Sequence, residues 1–181
     1  RLIDLGHDTG TPDGQVVTDS ISGVTSLDVN TDSISDLTGI EDFTALTELI
    51  CYGNQLTSLD VTQNMALTDL ECWNNQITAL DVTQNTDLAE LNCTGNQLTS
   101  LDVTQNTALT FFLCAFNQLT ALDVTQNTAL MQLQVHYNDI VSLDVTQNTA
   151  LTYLNCGTNQ PTSLDVTQNT ALTYLNCGTN Q

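Results

Sequence analysis

A strict period of 21 residues constrains this chain more than any other feature. From Leu46, steps of 21 land on Leu67, Leu88, Leu109, Leu130, Leu151 and Leu172. Aligned this way, the unit reads L-T-x-L-x-C-x-x-N-Q-L-T-S-L-D-V-T-Q-N-T-A. Six full copies span 46–171 and a truncated seventh covers 172–181. A degenerate copy, 24–45, leads in with Val24-Thr25-Ser26-Leu27-Asp28-Val29. A unit this short cannot bury its own leucines, so stability must come from neighbouring coils stacked on one another.

Each unit has two halves, L-x-x-L-x-C-x-x-N and L-x-x-L-D-V-x-x-N. Both alternate around a central Leu, which is the period of a strand, and neither carries an apolar stripe at helical spacing. The expectation is a β-rich solenoid of about seven coils. Each coil would carry two short strands on opposite sides, and these would build two parallel sheets with a rise of ~4.8 Å per rung. Residues 1–23 fall outside the repeat and are expected to be the remnant of a cap, with Leu2 to Gly6 the end of a cut helix and Asp8 to Gly14 rich in turn residues. Gln181 stops halfway through a coil. Further chain, or another molecule, is therefore expected over that end.

The first half of the unit matches the leucine-rich-repeat signature L-x-x-L-x-L-x-x-N/C-x-L. With Cys at the third apolar position and L-D-V following, the array resembles bacterial internalin-type repeats, in which a ladder of cysteines lines the core. The lead-in Asp36-Leu37-Thr38-Gly39-Ile40-Glu41 resembles the start of such arrays. The resemblance covers about 24–181, with Phe112 and Pro161 departing from Leu and Val135 from Cys. It implies a right-handed leucine-rich-repeat solenoid that is secreted or displayed on a bacterial surface. It also implies adhesion, or recognition of an extracellular protein or glycan, on the concave face of the first sheet.

Charge and composition narrow the function classes. The formal net charge is -20, from 21 Asp plus Glu against a single basic residue, Arg1. Nucleic acid and anionic membrane surfaces are excluded as partners, because the phosphate term would be repulsive. No apolar run approaches the roughly 18 residues a membrane helix needs. The two histidines, His7 and His136, lie in different regions, and Lys is absent. No nucleophile, metalloprotease or phosphate-loop motif is present, so no enzymatic activity is expected.

Three sets of columns follow from the register. Cys51, Cys72, Cys93, Cys114, Cys156 and Cys177 share one position. In-register Cβ atoms ~4.8 Å apart and pointing the same way suit a buried ladder better than disulfides, and no C-x-x-C pair supports zinc. Two Asn columns, beginning at Asn54 and Asn64, are expected to bind turn backbone. Asp28, Asp60, Asp81, Asp102, Asp123, Asp144 and Asp165 are read as one outward column on the second strand. Like charges at that spacing repel. Hydrogen bonds from neighbouring Thr, raised pKa values or calcium along the column are the alternatives that would offset the repulsion. No other cofactor is expected.

The outward positions of the first half (third, fifth, seventh and eighth) change from copy to copy until the last two, while the second half hardly varies. Tyr52, Trp73, Phe111, Leu113, Phe116, His136, Tyr137, Tyr153 and Tyr174 fall there. Large apolar side chains at exposed positions mark an interaction surface. Glu48, Asp69, Glu71 and Glu90 make the early rungs acidic, so a ligand of mixed basic and apolar character is expected. The competing reading is a structural spacer or surface-fibre subunit that stacks end to end, favoured by the near-identical late repeats Leu151–Gln160 and Leu172–Gln181.

Overall fold

The structure is a computed structural model that describes Gly6 and residues 18–180. It is a parallel β-solenoid. After a one-turn helix α1 (Thr18–Ile21) come β1 (Ser26–Asp28), a 3-10 turn (Ile40–Asp42), β2 (Glu48–Ile50), β3 (Asp69–Glu71), β4 (Glu90–Asn92), β5 (Phe111–Leu113), β6 (Gln132–Gln134), β7 (Tyr153–Asn155) and β8 (Tyr174–Asn176). The eight strands form one parallel sheet in chain order. Each pairs with the next in the register of the repeat, as in Leu49 with Leu70 and Leu70 with Leu91. The central residue of β1 to β7, Leu or Phe112, is buried, and its neighbours are exposed or half-buried save Asn155, which follows the alternation the sequence predicts; in the last rung Leu175 is exposed.

The interior is one continuous apolar column. In the rung that starts at Leu88, the side chains of Leu88, Leu91, Cys93, Leu98, Leu101 and Val103 are all buried, and the same six positions are buried in neighbouring rungs. Phe112 is fully buried in the column of central leucines, and Val135 fills the cysteine slot. Cys51, Cys72, Cys93, Cys114 and Cys156 are buried free thiols, and Cys177 is a free thiol on the exterior. Burial pushes the Cys51 thiol up to about 12 and the Cys156 thiol up to about 11. A thiol held protonated packs as a small hydrophobe.

The expected second sheet is absent among the described residues: the L-D-V half forms no strand. Its backbone groups are engaged elsewhere. The Asp60 carboxylate accepts from the Thr62 amide at 3.0 Å and the Thr62 hydroxyl at 2.7 Å. The Val61 carbonyl accepts from the Asn64 amide at 3.0 Å and from Asn85 Nδ2 at 3.0 Å. Donors and acceptors satisfied by local turns and by asparagine side chains cannot also form a ladder with the next rung.

The lead-in copy corrects the Asp column as well. Leu27 pairs with Leu49 and Asp28 with Ile50, so Asp28 lies on the first sheet and not with Asp60 and its successors. A local L-D-V match misled the alignment: Asp28 stands 32 residues before Asp60, one and a half units and not a whole number of them. Within the stretch 1–23, Ile21 is fully buried and joins the core cluster. The expected cut helix at Leu2 to Leu5 and the turn-rich segment 8–14 lie outside the described residues.

Candidate ligand-binding face

The outer face of the sheet is a grid of third- and fifth-position side chains. Along the third position, Ser26, Glu48, Asp69, Glu90, Phe111, Gln132, Tyr153 and Tyr174 succeed one another in register; along the fifth run Asp28, Ile50, Glu71, Asn92, Leu113, Gln134, Asn155 and Asn176. Parallel hydrogen bonding continues past each strand, as in Cys51 N–H to Glu71 O at 2.8 Å and Gly53 N–H to Trp73 O at 2.9 Å. Seventh-position side chains therefore extend the same face.

The eighth position departs from the expectation. Its backbone is left-handed in each of the seven rungs that reach it, with φ from 52° at Asn74 to 68° at Gly95. It belongs to the turn that ends the strand and forms a rim. Gly95 is the residue this geometry favours: a Cβ there would sit 2.6 Å from Asn74 Oδ1. Phe116 and Tyr137 hold the same conformation with φ of 53° and 55°. A bulky residue in that region costs of order 1–3 kcal/mol. Both are about half exposed, at 50% and 51%.

Ring contacts sort most of the expected site residues into three groups. Tyr52 stacks on Trp73 with centroids 4.2 Å apart and planes at 11°. Phe116 stacks on Tyr137 at 4.5 Å and 13°, and His136 meets both rings edge-on at 5.2 and 5.8 Å. Tyr153 stacks on Tyr174 at 4.2 Å and 6°. Phe111 and Leu113 stand half-buried on β5, in the same rung as Phe116. The surface is thus a series of aromatic islands along the solenoid and not one apolar sheet. His136 Nδ1 is buried without a partner, and burial holds the ring below the usual histidine pKa, in its neutral form at pH 7.

The acidic residues divide into two unlike sets. On the far side of each coil, Thr hydroxyls and amides donate to Asp60, Asp102, Asp123 and Asp144 and hold these exposed carboxyls below the usual range. Hydrogen bonding thus answers the repulsion along that column. On the sheet face the direction reverses. Burial, followed by Glu90 and Glu48, raises the Asp69 pKa. Burial raises Glu71 against a hydrogen bond from Asn92 Nδ2 at 3.0 Å. Asp69 Oδ1 is buried with no hydrogen-bond partner. Asp28, whose place on this face the sequence reading missed, accepts from the Asn30 amide at 3.1 Å. Among the described residues, no group of three His, Cys, Asp or Glu is arranged to hold a metal ion.

No family model matches the chain. Internalin J of Listeria monocytogenes serotype 4b (strain F2365) is 51% identical over 46 residues, which is 25% of this chain and 5% of that protein. The solved functional domain of InlJ from Listeria monocytogenes, described as including a cysteine ladder, superposes with a TM-score of 0.75 at 44% identity, over 92% of this chain and 42% of that one. A leucine-rich-repeat protein of Leptospira interrogans gives a TM-score of 0.81 at 29% identity, over 87% of this chain and 43% of its own. Internalin C2 of Listeria monocytogenes, at 20% identity and a TM-score of 0.82, shares the fold. The chain spans less than half the length of the first two solved relatives.

Proposed function

From the premise that this chain is a leucine-rich-repeat solenoid of the internalin type with a cysteine ladder, we propose that it is a non-catalytic recognition module of a bacterial secreted or surface protein. Its ligand lies on the sheet face and its adjoining rim. The observation that carries this reading is the pair Phe116 and Tyr137. Two aromatic rings, each half exposed, are held in a backbone conformation that glycine fills in two other rungs. Strain retained for exposed apolar rings points to use of those rings.

A protein ligand fits better than a glycan. The stacked pairs join residues of successive rungs, and the 4.2 Å spacing of Tyr52 and Trp73 is close to the ~4.8 Å rung rise. The ring normals therefore run along the solenoid and the edges face solvent. A sugar stacks on an open ring face; protein side chains pack against edges as readily.

The test is an array of purified extracellular proteins and glycans probed with wild type and with Trp73→Ala and Phe116→Ala. Protein hits that both variants lose, with circular dichroism unchanged, are the expected result. Hits retained by both variants would move the site off this face.

The second reading, a structural spacer, draws on the near-identical late repeats and the Tyr153–Tyr174 stack that continues them. It predicts concentration-dependent polymers in sedimentation. A sharp monomer at high concentration counts against it.

A further inference from the structure

We infer that the sheet face selects a polypeptide segment pairing a basic side chain with a bulky apolar one, the basic group seated between Asp69 and Glu90 and the apolar group on Phe111 and Leu113. This deepens the binding reading above and rests on it.

The argument starts from the contrast between the two acidic sets. Carboxylates on the far side have donors of their own, from Thr62, Thr104 and Thr125. They need no ligand. Asp69 on β3 is different: Glu48 precedes it and Glu90 follows it in register, and its Oδ1 is buried without a donor. The chain has no lysine and its one arginine is Arg1. Among the described residues, then, no basic Lys or Arg side chain exists to pair with these acids. Adjacent acids in register, Asp69 half-buried and Glu90 exposed, with no Lys or Arg among the described residues to pair with them, are complementary to a cation brought by a partner.

The register then places the apolar site. Glu90 pairs with Phe111 and Asn92 with Leu113, so the acidic grid gives way to an apolar one across a single strand pair. From Asp69 to Phe111 is two rungs, about 10 Å, or about three residues of extended chain at ~3.3 Å each. A segment running along the solenoid thus meets acid first and the apolar pair about three residues later. A polyanion or a glycan lacks one or both features.

The test uses blocked tetrapeptides titrated into isotope-labelled protein and followed by amide shifts: acetyl-Arg-Ala-Ala-Phe-amide, its Glu-for-Arg counterpart and its Ala-for-Phe counterpart. The expected result is shifts centred on Asp69, Glu71, Glu90, Phe111 and Leu113. The Arg-Phe peptide should bind about five-fold tighter than the Glu peptide, a preference the size of a partly exposed ion pair and weakened by salt. The double variant Asp69→Asn with Glu90→Gln should lose that preference. Glu90→Lys, at an exposed position that tolerates it, should reverse it. Equal binding of all three peptides, unchanged in the variants, overturns the inference and leaves the face intact as a site. No shift with any peptide up to its solubility limit also overturns the inference. The array result with Trp73→Ala and Phe116→Ala decides the wider reading separately.

Discussion

Asparagine does at residue scale what a second strand would do at element scale. In the first column, Asn96 Nδ2 donates to the Cys93 carbonyl of its own rung at 3.0 Å and the Cys72 carbonyl of the previous rung at 3.1 Å, while its Oδ1 accepts from the Ile77 amide at 3.0 Å. One side chain satisfies three buried backbone groups. In the second column, Asn106 Nδ2 bridges the Val82 and Asn85 carbonyls, both at 2.8 Å, while its Oδ1 meets no protein donor. Replacing Asn96 by Ala strands the buried Ile77 amide, while the Cys72 and Cys93 carbonyls still accept from Asn75 and Asn117 at 3.0 and 3.1 Å, and should cost about 1–3 kcal/mol, read from urea denaturation. Asn106→Ala should cost less, since the deleted oxygen was unpaired. At the rim, Phe116→Gly relieves a strained φ worth of order 1–3 kcal/mol and forfeits ring contacts worth about 0.5–1.5 kcal/mol. Stability should therefore stay within about 1 kcal/mol of wild type or rise, an outcome unusual for deletion of an aromatic side chain. A large loss on denaturation would show that the ring is a structural part of the turn.

At the scale of the strand and the turn, the two acidic sets respond oppositely to pH. Turn carboxyls such as Asp60 and Asp102 have lowered folded-state pKa values, chiefly through the Thr hydroxyl. Their contribution is present above the unfolded value near 4 and is lost as pH falls through the folded one. Strand carboxyls Asp69 and Glu71 have raised values, chiefly through burial. Their contribution is full below the unfolded value and lost as pH rises through the folded one. Asp69→Asn should therefore be more stable than wild type at pH 7, with the difference vanishing as pH falls toward about 4. Thermal melts across that range read it directly. A constant difference at all pH values would assign the effect to packing and not to charge.

At the scale of the molecule, stacking of equivalent rungs makes length adjustable. Deleting one whole unit, 88–108, joins Ala/Asp-flanked turns in the same register and should leave a cooperative, cysteine-laddered fold with a lower melting temperature. Deleting 20 residues instead leaves one coil of 22, the length of the lead-in copy that β1 and β2 already accommodate in register, and should cost stability locally without unfolding the array. With a net charge of -20 and no Lys or Arg among the described residues, added salt should raise the melting temperature by screening self-repulsion. Indifference to salt would mean that hydrogen bonding already offsets the repulsion throughout.

The sequence determined the solenoid, its register, the identity of the buried columns and the variable face, because a strict period forces identical environments onto identical positions. Phe112, Val135 and the buried cysteines needed no coordinates to be placed. It did not determine that the L-D-V half would remain outside any sheet: alternation alone suggested a strand, and only the folded coil shows its backbone groups engaged by Asp–Thr turns and Asn side chains. Nor did the L-D-V motif by itself set the place of Asp28, since the same three residues occur in both halves of the coil and only strand pairing with Ile50 puts Asp28 on the sheet face. The grouping of the aromatics into islands, and the division of the acids into satisfied and unsatisfied sets, depend on distances between rungs. Those distances arise only when neighbouring coils close on a common core.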